Sequence, residues 1–324
     1  MAFDKIHTKG PSNVDSLLAT TREAILQMGP EYLNDQIFTK IPLFNHLRKA
    51  AQTTKQGGAT ILIPMLFGKN TTVAAYSGDD TIDTTGTEGM TMSQNTWRQY
   101  AGTITATGQE IRQNAGEKLV DLMKGKTEQT LMSFVDRLDI DLFASTQGAK
   151  KIHALPVLVD ASSTVADINS NTNSWWQAQV VTSGSFPVRG KADMRNLRDL
   201  ISQQGQKGAS AVDYIITTRL VYELYEASLE PSIRYVQRES ADASFGGLKF
   251  STATMDFDPN CATGELYMLP TSNLKLVVHA DANMTIGEFK EPTDQDVRTA
   301  KCIWMGNLVT NNRRRLGKLT GITA

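Results

Sequence analysis

Between Asn114 and Ser145 the apolar positions recur with the period of an α-helix. Leu119, Val120, Met123, Leu131, Phe134, Val135, Leu138 and Leu142 fall within one arc at about 100° per residue, and Thr127 and Thr130 complete the stripe. Lys118, Asp121, Glu128, Asp136 and Asp139 take the other side. Asn114, followed by Glu117, makes a capping-box start. The pattern predicts one amphipathic helix, here called the spine. At about 1.5 Å per residue it would reach ~48 Å, against ~30 Å for a small domain, so its ends should extend past any single core. Leu122, Met132, Ile140 and Phe143 lie off the stripe, which predicts cover on a second side by another element or another subunit.

Ahead of the spine the polar start, with Gly10 and Pro11, reads as an arm. A short helix is predicted through Leu17, Leu18, Ala24, Ile25 and Leu26, ended by Gly29 and Pro30, and a second near Leu43 to Ala51, with Phe44, Leu47, Ala50 and Ala51 on one face. The run GGATILIPMLFG, 57–68, has β character. TWRQYAGTITATGQEI, 96–111, alternates with period two and is its expected partner. Residues 69–95 between them are rich in Gly, Thr, Asp and Ser and read as the large polar tip of a long hairpin. An isolated two-stranded hairpin is marginal in water, so such an arm needs a surface to lie on.

Beyond the spine a strand is predicted over Ile152–Val159, then a polar loop in which Trp175 and Trp176 suit packing or a subunit contact better than ligand stacking. Met194, Leu197, Leu200 and Ile201 mark a helix from Lys191 to Gln203. Asp213–Thr217 reads as a buried strand that leads into a helix with Leu220, Val221, Leu224 and Tyr225, stopped near Pro231. Residues 246–324 alternate strand-like runs with turns and should return to cover the spine. The order is that of an α+β fold.

Composition removes several classes of function. The chain has 324 residues, 40% of them hydrophobic, with a net charge of -1, so it can bury real cores and carries no global field toward nucleic acid. Cys261 and Cys302 stand in no metal-ligand spacing. No apolar run is long enough to span a membrane, and the N-terminus lacks a signal-peptide core. Catalytic constellations fail on spacing. Gly125-Lys126-Thr127 resembles a phosphate loop, but Val120 stands where the first glycine belongs, and Gly68-Lys69 fails in the same way at Ile63. His7, His46, His153 and His279 are scattered, and Asp79, Asp80, Asp256 and Asp258 fall in or near turns, where Asp is favoured by local hydrogen bonds. Arg313, Arg314 and Arg315 suit a solvated face or an intersubunit contact. The sequence therefore nominates no catalytic, cofactor-binding or metal-binding residue, and no cofactor.

GGATILIPM, a polar tip, TWRQYAGTITATGQEIRQNAG running into the spine, and a final GNLVTNNRRRLGKLTGI follow one another in an order that resembles the major capsid proteins of tailed bacteriophages, the Hong Kong 97 fold. The resemblance covers nearly the whole chain and rests on order, spacing and texture. It implies an N-terminal arm over 1–50 and an extended loop over 51–112. It assigns 113–191, with the spine, and the strands returning from 276 to about 310 to a peripheral domain. An axial domain takes 192–275 together with the tail that ends the 276–324 segment. It also implies a structural protein of the virion, not an enzyme. Hexamers and pentamers of the chain would close an icosahedral head around double-stranded DNA that is enclosed but not read by sequence. The expected partners are further copies of the chain, a separate scaffolding protein, since no long scaffolding segment precedes the arm, a portal protein and decoration proteins, with assembly in the host bacterial cytoplasm and no membrane. An encapsulin-type shell around protein cargo is the alternative, and a two-domain α/β enzyme without a recognisable motif is the third reading.

Overall fold

The computed structural model describes residues 41–113, 117–204, 212–233 and 248–324. The helix expected over Leu17–Leu26 and the Asn114 cap lie outside these residues. In chain order the strands are β1 Gln52–Lys55, β2 Thr60–Leu66, β3 Met90–Thr96, β4 Arg98–Thr107, β5 Thr164–Val165, β6 Ile168–Asn169, β7 Gln179–Thr182, β8 Tyr214–Thr217, β9 Leu248–Phe250, β10 Ala253–Phe257, β11 Leu266–Leu269, β12 Leu274–His279, β13 Thr285–Ile286, β14 Val297–Thr310 and β15 Gly317–Thr320. They form two main sheets and two separate hairpins.

The spine runs as a helix over Glu117–Leu142. Met123, Thr127, Leu131, Phe134, Val135, Leu138 and Leu142 are all buried, as the stripe requires, and Phe143 is buried too. The side chains of Leu119 and Val120 lie outside the described residues. Met132 and Ile140 remain exposed within the subunit. One assignment to the polar side is wrong: Asp139 is buried, and so is Asp141. Asp141 is held by Lys151 Nζ at 2.9 Å, Arg137 Nε at 3.3 Å and the Tyr100 hydroxyl, which donates to it at 3.0 Å. Burial, chiefly, pushes the Tyr100 hydroxyl up to about 12, so it stays a donor at any ordinary pH.

The spine lies on a five-stranded sheet of β1, β12, β14, β13 and β4. Its contact strand, β4, pairs antiparallel with β14 from Arg98↔Gly306 to Thr107↔Val297. This corrects the expected hairpin, because within 96–111 only Thr96 pairs with 57–68, while 98–107 pairs with β14. Ile104 and Ala106 of β4 need a core on one side, and Ala300 of β14, Met123 of the spine and Ile111 supply it. Gly102 sits close under the helix, since a Cβ there would meet Thr130 Cγ2 at 3.0 Å and Phe134 Cδ2 at 3.2 Å. On the spine's face of the sheet, the helix Pro42–Ala51 adds Leu43, Phe44 and Leu47, while Ala50 is exposed.

The second sheet has the order β7-β15-β11-β8-β10-β9. Every residue of β8 is buried. The helix Lys191–Gln203 covers the sheet with Met194, Leu197 and Ile201. It crosses β15 at Gly317, where a Cβ would stand 2.7 Å from Ile201 Cδ1. The sheet reaches back before residue 192 to take β7, because β15 offers it a parallel edge over Gly317–Thr320. Two helix boundaries also differ from expectation. Ile152–Val159 is not a strand but contains a helical turn, Leu155–Leu158, with Pro156 at its start, where a missing N–H removes no helical hydrogen bond. The helix begun at Arg219 continues to Ile233, past Pro231.

The basic run at 313–315 is not a solvated face. Arg313 is 0% exposed and its guanidinium donates to carbonyls: Nε to Leu158 at 2.8 Å, Nη1 to Ser163 at 2.8 Å and Nη2 to Val157 at 2.9 Å, with Ser163 Oγ as a further partner. It caps the orphan carbonyls of the short helix Leu155–Leu158. Burial lowers it to about 10, still charged at neutral pH. Arg315 is also buried and donates to Asn273 Oδ1 at 2.8 Å.

Two substitutions test this packing. Arg313→Ala strands several buried carbonyls, each costing about 1–3 kcal/mol, and is expected to lower stability by about 3–6 kcal/mol in chemical denaturation of the full chain. Phe134→Asp puts an unpaired carboxylate under β4, at a cost of several kcal/mol. Soluble Phe134→Asp protein melting like the parent would show that the spine does not pack as described.

Candidate assembly interface

The true partner of β2 is β3, in the register Thr60↔Thr96 to Leu66↔Met90. The strand lies inside 69–95, the stretch expected to be entirely tip. Its sequence, MTMSQNT, hides the strand because its inward positions are polar: Ser93 and Asn95 are the buried ones. The period-two signal was there, but with Ser and Asn on the inner face. On β2, Ile61 and Met65 turn inward. Ile61 packs on Val277 of β12 and Val309 of β14, the neighbours in sequence of Leu276 and Leu308, which belong to the spine's core. Alternation along a strand puts these on opposite faces. The arm's base therefore covers the face of the first sheet that the spine leaves open.

The loop between the spine and β7 props the arm. The tight turn joining β5 to β6 places Ala166 and Asp167 at positive φ, 55° and 61°, and the Ala166 carbonyl accepts from Gln94 N–H at 3.4 Å. Trp176 is buried and its indole donates to Val165 O at 3.1 Å. Trp175 stacks on Phe67 of the arm, ring centres 5.2 Å apart. Both tryptophans thus serve packing, as their loop context suggested. Asn307, buried in β14, donates to Thr96 O at 2.8 Å and accepts from His153 N–H at 2.9 Å, tying the arm's root to both the sheet and the post-spine loop. This fixed Asn was not singled out from sequence. Its only signal was a polar residue inside the apolar run from Cys302 to Val309.

Beyond Leu66 the arm leaves the subunit. Phe67 N–H donates to Gly89 O at 2.9 Å, and Gly68 and Gly89 approach so closely that a Cβ on Gly89 would stand 3.1 Å from Gly68 O. From this neck the tip is ordered by its own polar residues. Asn70 Oδ1 accepts from Thr72 N–H, Thr72 Oγ1 and Thr87 Oγ1, Asp80 accepts from Ser77 N–H, and Asp83 accepts from Thr85. The Thr85 hydroxyl and amide hold the Asp83 carboxyl below the usual range. Asp80 thus behaves as the turn residue expected, and Asn70 is a turn former. Asp258 does accept a local N–H, from Asn260 at 3.0 Å, but it is buried rather than a surface turn.

The uncovered part of the arm, though mostly polar, also exposes large apolar side chains. Leu66, Met90 and Val73 are 74%, 79% and 81% exposed, and Tyr76, Ile82 and Met92 are exposed as well. Leu66 and Met90 stand opposite each other in the β2–β3 register, so this exposed pair is not a single scattered residue. The histidines in the described residues have local structural partners. His46 stacks on Tyr214 with ring centres 3.8 Å apart, His153 bonds Leu308 O at 3.0 Å, and His279 lies edge-on to Trp97 at 5.7 Å. His7 lies outside the described residues. Lys126 of the apparent phosphate loop sits in the spine, donating to Thr105 O at 2.9 Å and Glu110 at 2.7 Å, and this lysine is the main cause holding the Glu110 carboxyl at about 2. No helix among the described residues is long and apolar enough to cross a membrane.

No protein-family model matches the chain, and no curated protein sequence matches it. Solved structures do. A capsid chain of cyanophage A-1(L) aligns over 88% of this chain and 93% of its own, at 11% identity and a TM-score of 0.63. A capsid chain of a native GTA particle aligns over 86% and 90%, at 10% identity and 0.59. The encapsulin of Synechococcus elongatus aligns over 88% and 89%, at 8% identity and 0.56. At these identities the likeness establishes the fold: an α+β fold of the Hong Kong 97 type.

Residues 69–88 lie between β2 and β3, so replacing them by a short Gly/Ser turn keeps both strands and their register. Loop length alters stability only slowly, so this variant is expected to melt cooperatively within about 1 kcal/mol of the parent, as read by calorimetry of the full chain. Loss of the folded state would place the tip in the core.

Proposed function

We propose, for a chain with the Hong Kong 97-type fold, that it is the major capsid protein of a tailed bacteriophage, and that copies of it assemble as hexamers and pentamers into an icosahedral head enclosing double-stranded DNA. The observation that carries this reading is the arm: a hairpin rooted on its own sheet, whose Leu66, Val73 and Met90 stay exposed within the chain. Burying an apolar side chain is worth about 1.5–3 kcal/mol, so several such residues per contact, repeated around a closed shell, give a strong drive to associate. A net charge of -1 suits a container that must not hold its DNA tightly.

In this reading the spine and first sheet form the peripheral domain, the second sheet and its helices form the axial domain, and 1–50 forms the N-terminal arm. The role is structural rather than enzymatic. Scaffolding, portal and decoration proteins are its partners, and the virion is its location, after assembly in the bacterial cytoplasm. The likeness to an encapsulin favours a second reading, a shell around protein cargo. Co-expression with a scaffolding protein, followed by sedimentation and electron microscopy, tests the proposal. Closed shells with sixfold and fivefold capsomers are expected, and the 69–88 replacement is expected to abolish them while leaving the chain folded. Monomers or dimers alone would refute assembly. Closed shells that form around another protein when no scaffolding protein is supplied would favour the second reading.

A further inference from the structure

The second half of the spine carries a buried acid that neither the packing stripe nor the arm uses. Asp139 is 0% exposed and meets Asp258, 1% exposed, just past β10 of the second sheet. Asn260 holds both: its backbone N–H donates to Asp258 Oδ1 at 3.0 Å and its side-chain Nδ2 donates to Asp139 Oδ2 at 2.7 Å. That leaves Asp139 Oδ1 and Asp258 Oδ2, both buried and with no hydrogen-bond donor from the described protein. Two ionised carboxylates cannot share so dry a site, whereas one proton between them lets an O–H donate to the facing oxygen and satisfies the pair. We propose that Asp139 and Asp258 share a single proton and form an acid-locked joint between the spine and the second sheet, loosened when that proton leaves.

The surroundings offer the pair little positive charge. Asp136 faces it from the spine, Tyr214 from β8 and Cys261 from the loop after β10, with Asp256 and His46 behind Tyr214 and Glu265 behind Cys261. Burial raises both Tyr214 and Cys261 and lowers His46, so all three are neutral near pH 7. Burial first, and then the charge of Asp258, raises Asp139 to about 7, and burial raises Asp258 as well. The folded state therefore binds a proton that the unfolded chain releases near pH ~4. The joint's contribution is complete below that pH and is lost as pH rises through about 7, by up to about tenfold in the folding equilibrium per pH unit. His46 and His153, both lowered by burial, act in the opposite sense as pH falls. The decisive quantity is therefore the difference between parent and variant.

Urea unfolding of the full chain at about pH 5 and about pH 8 provides it. Asp139→Asn carries an N–H that can donate to Asp258 Oδ2 in place of the proton, and is expected to remove at least about tenfold of the parent's loss of stability between the two pH values. Asp258→Asn is expected to do the same and carries the comparison if Asp139→Asn does not fold. Identical pH differences in the parent and in a folded variant would overturn the joint. So would calcium restoring the parent at the higher pH, since a cation would then be the intended occupant. In the parent alone, amide exchange over 139–143 should quicken as pH rises beyond the intrinsic chemical rate, and protection that stays constant would equally overturn it.

Discussion

Everything in this subunit is placed by the contact between the spine and β4. A helix with an apolar stripe can lie flat on a strand only where the strand lets it approach, and Gly102 provides that place beneath Thr130 and Phe134. Once the helix is seated, β4 cannot also serve as half of a projecting hairpin. It pairs instead with β14 along its whole length, and β14 carries β12 and β13 with it. The first sheet is thus a consequence of seating the spine, and its far face becomes the platform on which β2 of the arm rests.

The arm is a compromise between belonging to its subunit and reaching beyond it. Its root is fixed by apolar contacts with Val277 and Val309 and by hydrogen bonds through Asn307 and Ala166. Past the Gly68–Gly89 neck, order comes from local turn chemistry rather than a core, so the tip can hold a shape without burying its apolar residues. A free-standing monomer gains nothing from that arrangement. Under the proposed function, a shell subunit gains a surface that is presented before its neighbour arrives, which lowers the ordering entropy lost on contact.

Polar groups buried at the junctions govern how the two halves of the subunit meet. Arg313 spends its guanidinium on carbonyls rather than on a carboxylate, which makes it a geometric clamp as well as a charge. Asp139 and Asp258 bring two acids together where, among the described residues, no cation stands against them. Such groups stabilise less than apolar residues of equal size, but they tolerate few alternative arrangements, because any shift leaves a buried polar atom unmatched.

The spine, the helix Lys191–Gln203, the buried strand at 214–217 and the α+β order were legible in the sequence, because each is a local period strong enough to survive without its neighbours. The neutral charge and the absence of catalytic spacing were legible too, since they depend only on which residues are present. Strand partners were not. Residues 57–68 and 96–111 both carry β character, and only the tertiary structure shows that β4 is drawn away to β14 while the polar-faced β3 takes its place beside β2. Nor could the sequence tell that Asp139 and Arg313 are buried, because a charged side chain on a periodic element looks solvated until its partners arrive from distant segments. Asn260 lies more than a hundred residues from Asp139, and Ser163 equally far from Arg313. Local periodicity fixes elements, whereas pairing and burial depend on which surfaces the folded chain brings together, and that information is spread over the whole sequence.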